Sequence, residues 1–474
     1  MTTWDAIVIG SGPNGLSAAA SVAKAGFSVL VIEAADEIGG GARTLPLTLP
    51  GFLHDTCSAI HPLAVTSPAF IAMPLEQYGL AWIHPEIPLA HPLDGGRAVT
   101  LERSLHATAA NLGKDADAYQ RLFAPVVANW TALTELSTGK LRFPQNAAGL
   151  LRVAYASMRS AMNVLAGFHD PGARALLAGL AAHSNLPLED AFSAGFAVSM
   201  GASAHAVGWP FPQGGAGNIS RAIAGYLRSL GVEFETGVRV NSLEDLPPHH
   251  IALCDVSPRE LLRIASARLP NWYRHKLENF SYGPGAFKVD WALDGPIPWT
   301  APECGRAGTV HLGGTAEEIA AGERTVGAGQ PAEEPFVFVA QHTRFDPSRA
   351  PLGKHTAWAY CHVPNGCEAD MTDRIERQIE RFAPGFRGRI LARSVLGPMA
   401  LQARNSNLVG GDFCGGANRW QQLFTRPTFL TYLTPDPRIL ICSASTPPGA
   451  GVHGMCGYYA ARLAVRRLRK WARK

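Results

Sequence analysis

Residues 5–44 constrain the fold more than any other stretch. Ala6-Ile7-Val8-Ile9 is a short β-branched run of the kind that fills a buried parallel strand. Gly10-Ser11-Gly12-Pro13-Asn14-Gly15 follows at once, and Leu16 to Ala25 is Ala-rich and helix-forming, with Gly26 as its stop. Phe27 to Ile32 reads as a second buried strand, ending in Glu33. Glycines let the backbone turn tightly and approach a pyrophosphate, and the helix start offers it unpaired N–H groups and a positive dipole end. Glu33 stands where an acid accepts hydrogen bonds from ribose hydroxyls. Strand, turn, helix, strand and acid in this order predict a dinucleotide site built by Gly10, Gly12, Pro13, Asn14, Gly15 and Glu33.

The continuation selects among dinucleotides. Gly39-Gly40-Gly41-Ala42-Arg43 gives the pattern E-x5-G-G-x-x-R. Gly40 and Gly41 let a loop close over the pyrophosphate of an extended dinucleotide, and Arg43 offsets its charge. This continuation is similar to that of flavoproteins of the glutathione-reductase type, so non-covalent FAD is expected rather than NAD.

Composition narrows the class. The 474 residues suffice for two or three domains, and 47% hydrophobic against 17% charged residues suits a globular protein. A net charge of +4, with no zinc spacing and no platform of stacking aromatics, argues against nucleic acid. The 8 cysteines form no Cys-x-x-Cys, which argues against a structural metal and a redox disulfide and suits reduced thiols in the cytoplasm. Cys57 and Cys442 read as small buried residues rather than flavin attachment points. The first strand leaves no room for a signal peptide after Met1, and the uncharged stretch Ala191 to Ser220 carries Gly, Ser, Pro and His, unlike a membrane span.

Further along, Pro50 to Ser58 is polar and turn-rich. Residues 68–203 read as mostly helical, with Ala-rich segments at 104–137 and 147–182. Trp209-Pro210-Phe211-Pro212-Gln213-Gly214-Gly215 opens a helix at 218–230, followed by strands at 231–234, 238–240 and 251–255. The segments 287–293, 309–312, 335–341 and 356–363 read as a sheet over a cavity, and 373–382 as an amphipathic helix. A buried strand at 438–442 precedes Pro447-Pro448-Gly449-Ala450-Gly451-Val452-His453-Gly454-Met455 and a last helix from about Gly457. Gly449 to Gly454 also fits G-x-G-x-x-G, but neither strand nor acid follows, so a helix start aimed at the electron-rich N1–C2=O edge of a flavin is the better use. The expected fold is α/β: a discontinuous FAD-binding Rossmann domain from 1–67, 204–285 and 396–474. A substrate domain of helices and a mixed or antiparallel sheet, from 68–203 and 286–395, is inserted in it.

The glycine unit with Glu33, the central Phe211-Pro212-Gln213-Gly214-Gly215 and the terminal Pro448 to Gly454 resemble the phytoene-desaturase-like FAD oxidoreductases over essentially the whole chain. Ala350-Pro351-x-Gly353-Lys354-His355-Thr356, Arg381 to Phe386 and Gly410-Gly411-Asp412 look like the phytoene dehydrogenase-related branch. The resemblance implies that Val240 holds the adenine through its backbone. It also implies that Gly214 and Gly215 border the cofactor and that Pro448, Gly449, Gly451, Val452, Gly454 and Met455 contact the flavin. Cys442-Ser443-Ala444-Ser445 departs from the acid that many relatives place there for the ribityl chain.

His54, His61, His205 and His453 lie in segments expected near the flavin, with His205 and His453 the candidate acid–base residues. His61 and Trp209 are candidates to wall the substrate cavity; Trp209 reads equally as core. The basic tail Arg466 to Lys474, with Trp471, reads either as peripheral contact with an anionic membrane or as a solvated helix end. The leading expectation is hydride transfer between flavin N5 and a small lipophilic, isoprenoid-like substrate by dehydrogenation, saturation or isomerisation. Oxidation of a C–N bond is the alternative, and a flavin-stabilised binding protein the third.

Overall fold

A computed structural model describes residues 3–136, 146–423 and 425–473. Five strands form one parallel sheet: β1 (Trp4–Ile9), β2 (Val29–Ile32), β3 (Glu233–Glu235), β4 (His249–Cys254) and β5 (Ile439–Ile441), ordered β5-β4-β1-β2-β3. β1 shows why its sequence is apolar without alternation. Ala6 and Val8 pack with α1 (Pro13–Ala23), α2 (Gly217–Ser229) and α3 (Met455–Trp471) on one face. Ile7 and Ile9 pack with Leu261, Ile264 and Tyr273 on the other. A strand covered on both faces has no polar side to show.

α3 crosses α1 closely. A Cβ on Gly457 would overlap the Asn14 carbonyl, and one on Gly454 would lie 2.7 Å from Ser17 Cβ. The two glycine-rich helix starts therefore meet, although they lie at opposite ends of the chain.

The second sheet has seven strands, ordered Ile390–Leu396, Gly285–Leu293, His355–Val363, Val337–Ala340, Ala307–Leu312, Ile87–Leu93 and Arg97–Leu101. All neighbours are antiparallel except Ala307–Leu312 with Ile87–Leu93. Helices between residues 105 and 207 cover it, and Tyr119, Phe123, Leu176 and Trp209 join Leu89, Phe336 and Phe338 in one core.

Residues 68–203 are mostly helical, as expected, but 87–93 and 97–101 are strands, disguised by Pro88 and Pro92, which ordinarily demote a strand. Residues 238–240 form no strand, although the Val238 N–H still donates to the Glu33 carbonyl at 2.9 Å. Residue 137, at the end of one Ala-rich segment, and Lys474, at the end of the basic tail, lie outside the described residues.

Candidate active site

At the nucleotide end, β1 turns into α1 through Gly10, whose φ of +96° suits only glycine, and the helix is capped at Gly12 with no side-chain hydrogen bond. The Gly15 N–H donates to Asp255 Oδ2 at 2.9 Å, from the end of β4. Pro13 has no N–H, so the amides of Gly12 and Asn14 are the donors left for an anion at this helix start. A Cβ on Gly12 would sit 2.7 Å from Asp255 Oδ2, and one on Gly40 would sit 3.0 Å from the Gly12 Cα. The Gly39–Gly41 loop is thus laid directly on the first glycine turn.

Glu33 Oε2 accepts from the Ser11 N–H (2.8 Å) and hydroxyl (2.6 Å), so its carboxylate also holds the turn in shape. Arg43 Nε donates to the Gly40 carbonyl at 3.0 Å, which fixes the loop beside the expected pyrophosphate. The Val240 carbonyl accepts from Arg263 Nη2 at 2.9 Å, which leaves its amide and the second lone pair of its carbonyl for an adenine contact there. Asp255 was not anticipated. Burial pushes its carboxyl up to about 7, opposed by the Gly15 N–H and reinforced by Glu33.

The terminal loop makes left-handed turns at Gly449, Gly451 and Gly454 (φ +105°, +126° and +65°) and delivers Met455 as the first residue of α3. His453 is built into this turn. Its Nδ1 accepts from the Met455 N–H at 3.0 Å, and its carbonyl accepts from the Ser67 hydroxyl. Burial lowers its pKa to about 4, so it is a neutral helix-start residue near pH 7.

Gly214 and Gly215, expected to border the cofactor, sit where the start of α2 meets the Thr44–Asp55 pair. The Gly214 N–H donates to Asp346 Oδ2 at 2.6 Å, and a Cβ on Gly215 would meet Thr44 and Asp55. The Ala216 N–H donates to Asp55 Oδ1 at 2.8 Å and the Gly217 N–H to Thr44 Oγ1 at 3.0 Å. These glycines let the start of α2 dock on the Thr44–Asp55 pair.

Asp55 opens a buried ionic cluster between the two sheets. Arg349 Nη2 lies 2.9 Å and His342 Nε2 3.8 Å from Asp55 Oδ2, all three side chains being at most 1% exposed. Burial opposes ionisation of Asp55, but Arg349 and His342 with the Thr44 and Ala216 hydrogen bonds hold it down at about 2. His54 Nδ1 lies 3.6 Å from Asp290 Oδ1, and Lys288 Nζ donates to Asp290 Oδ2. Burial outweighs attraction within this pair: Asp290 is pushed up to about 6 and Lys288 is pushed down. His54 and His342 are lowered to about 3 and His61 to about 4, mainly by burial. His61 Nε2 is 3.2 Å from the Ser58 hydroxyl, and its Nδ1 is buried without a partner.

Lys288 Nζ also stands 5.8 Å from the centre of the Trp358 ring. Trp358 begins an aromatic wall. Tyr360 meets Trp358 edge-on at 5.2 Å, stacks on Phe338 at 4.4 Å and meets Phe413 at 5.6 Å. Tyr360 and Phe413 are only partly buried, unlike Phe338 and Trp358.

His205 and Trp209 belong to the helical layer. His205 Nε2 is 2.8 Å from the Tyr119 hydroxyl, its ring packs against Tyr119 and Phe123, and burial lowers it to about 4. Trp209 Nε1 donates to Ser203 Oγ at 3.2 Å and the ring is 2% exposed, as core. On the outer side of α1 and α3, a groove of about 410 Å³ is lined by Lys24, Arg462, Arg466 and Arg469 with Ala72 and Met73. Among the described residues no helix is long and apolar enough to cross a membrane.

A model described as an NAD(P)-binding Rossmann-like domain matches residues 8–73, which include both glycine turns of the nucleotide end. Over 98% of its length the chain is 26% identical to 94% of the pyridine nucleotide-disulfide oxidoreductase domain-containing protein 2 of Mus musculus. Over 25% of its length it is 30% identical to 22% of one component of the limonene dehydrogenase of Castellaniella defragrans (strain DSM 12143 / CCUG 39792 / 65Phen). Its fold is that of the cyclohexylamine oxidase from Brevibacterium oxydans IH-35A, with a TM-score of 0.60 at 16% identity and complete coverage of both chains.

Proposed function

We propose that the chain is an FAD-dependent oxidoreductase exchanging hydride with a lipophilic substrate by carbon–carbon dehydrogenation, saturation or isomerisation. The observation that carries this reading is the meeting of Gly454 and Gly457 with Ser17 and Asn14. It brings both glycine-rich helix starts to one site, as one extended dinucleotide requires. The residues fit such a ligand: the start of α1 presents unpaired amides, the buried Asn14 Oδ1 has no partner, and α3 points a second positive dipole end at the same region. FAD would be held by Gly10, Gly12, Asn14, Glu33, Gly40 and Arg43 and by the 448–455 turn. When bound it supplies the hydride acceptor or donor.

The chain's own residues supply the rest. The wall of Phe338, Trp358, Tyr360 and Phe413 suits an apolar substrate and excludes water. Desaturation also releases a proton, and the Lys288–Asp290 pair is the candidate to take it: burial raises the Asp290 carboxyl and lowers the Lys288 amine, which brings the two groups closer to exchanging a proton than exposed ones are. His205 and His453, neutral and engaged in packing and capping, are not needed for it. The partial likeness to a limonene dehydrogenase supports an isoprenoid-like hydrocarbon. The cyclohexylamine oxidase fold supports the competing reading, hydride removal from a C–N bond.

The protein should purify yellow and release one FAD on heating. Anaerobic bleaching by a cyclic terpene but not by a primary amine supports hydrocarbon chemistry; the reverse result establishes the amine reading. Colourless protein that takes up NAD instead sinks both.

A further inference from the structure

One buried cation has no part in the chemistry above. Arg426 is 4% exposed. Its Nη2 donates to the Cys414 and Gly416 carbonyls at 2.8 and 3.3 Å, and its Nη1 to Asn418 Oδ1 at 3.3 Å. Its Nε is buried without a partner. Among the described residues no carboxylate forms an ion pair with it. Asp412 is the acid acting on it, but the Asp412 oxygens accept from the N–H groups of Gly283, Cys414 and Gly416 at 2.7–2.9 Å. A desolvated guanidinium whose nearest acid is shared with three backbone N–H groups is costly, and a fold that keeps one gains where further negative charge arrives from outside the chain.

Its position indicates where that charge arrives. Arg426 Nη1 would lie 3.7 Å from a Cβ on Gly449, so the guanidinium stands behind the turn that leads into α3. The thiol of Cys456, in the first turn of α3, lies within its electrostatic reach. Two sources of positive potential, a helix start and a buried arginine, therefore converge on one loop. We propose that Arg426 is the counter-charge for the electron-rich N1–C2=O edge of the bound flavin. There it favours the reduced, anionic form and so tunes how readily hydride is accepted. This role rests on the FAD reading above.

The test uses the purified holoenzyme and two readouts that need no substrate: the two-electron reduction equilibrium of the flavin against a reference dye, and the dissociation constant for sulfite. Arg426→Gln should lower the reduction equilibrium constant at least tenfold, equal to about 30 mV, and weaken sulfite binding by a similar factor. Arg426→Lys, which keeps the charge, should stay within about threefold of wild type. Asn418→Asp places a carboxylate against Nη1 with almost no change of shape. It should shift both readouts in the same direction as Arg426→Gln, and it decides the question if that variant fails to retain flavin. Flavin-loaded variants with unchanged equilibrium and sulfite affinity overturn the role of Arg426 alone. A wild-type protein without flavin overturns the FAD reading and this role together.

Discussion

The two glycine-rich helix starts touch, yet they are backed by opposite charge. Behind α1 stand two carboxylates: Asp255, bonded to the Gly15 N–H, and Glu33, bonded to Ser11. Behind α3 stands the buried cation Arg426, beside Gly449. A glycine turn and a helix dipole are common to both, so the motif alone does not say what each end prefers. On the proposed FAD reading, the α1 end would fit a polyanion next to an acid that resists ionisation, and the α3 end would keep positive potential for charge that appears only on reduction. The same local pattern would then serve retention at one end and reactivity at the other.

The strongest break in this comparison is a fixed negative charge at the α1 start. Gly12→Asp should abolish FAD retention, read as loss of the yellow chromophore after gel filtration, because the carboxylate meets both Asp255 and the pyrophosphate site. Retained flavin would show that α1 is not the phosphate end.

A second test concerns a group outside both starts. Lys288→Met should slow anaerobic flavin reduction by about 10²–10⁴-fold with FAD still bound, whereas His205→Ala should change it only through packing around Tyr119. Equal effects of the two substitutions would return the acid–base role to the histidines.

The third sharpens the acidic end. The Asp255 carboxyl is raised to about 7, so in the folded protein it keeps its proton where the unfolded chain has lost it. Its contribution to stability therefore falls as pH rises from about 4, where the unfolded carboxyl ionises, to about 7, and is level beyond. A pyrophosphate next to it raises the value further, so FAD affinity should weaken by up to about tenfold per pH unit above 7. Asp255→Asn, which still accepts from Gly15, should flatten that slope and raise the melting temperature at pH 8. A parallel slope in wild type and variant would clear Asp255 of the linkage.

The smallest effect concerns the outer side of the same helix pair. If Lys24, Arg462, Arg466 and Arg469 meet a surface, binding to liposomes should need anionic lipid and weaken with salt, at about 1 kcal/mol per cation. Deleting residues 466–474 should remove most of it; unchanged binding would leave the groove a solvated helix face.

What was legible in the sequence was local. Gly10 to Glu33 declares itself because strand, turn, helix and acid lie within one stretch and each step has its own residue chemistry. The terminal loop was legible for the same reason. The ionic groups were not, because their partners are remote: Asp255 is 240 residues from Gly15, and Asp55 finds Arg349 from another part of the chain. Lys288 and Asp290 did carry a signal, two charges on one side of the apolar strand Phe287 to Leu293. A strand buried on both faces does not hold such charges without a partner or a use. The strands at 87–101 were hidden by proline, and the contacts of Gly214 and Gly215 with Asp346, Thr44 and Asp55 by the distance of those partners in the chain.

The close crossing of α1 and α3 also sets an order of events during synthesis. Asn14 and Gly457 are about 440 residues apart, which at roughly 5–20 residues per second separates their appearance by about 20–90 s. Until β5 and α3 emerge, the first nucleotide unit lacks an edge strand and the helix that covers Leu16, Ala19 and Ala20. A nascent chain can shape the Gly10–Gly15 turn early but cannot close the site. On the FAD reading, cofactor capture would be confined to chains whose synthesis has passed α3, and a chain cut short before Gly457 should leave the ribosome with an exposed apolar helix face, a substrate for chaperones and proteases.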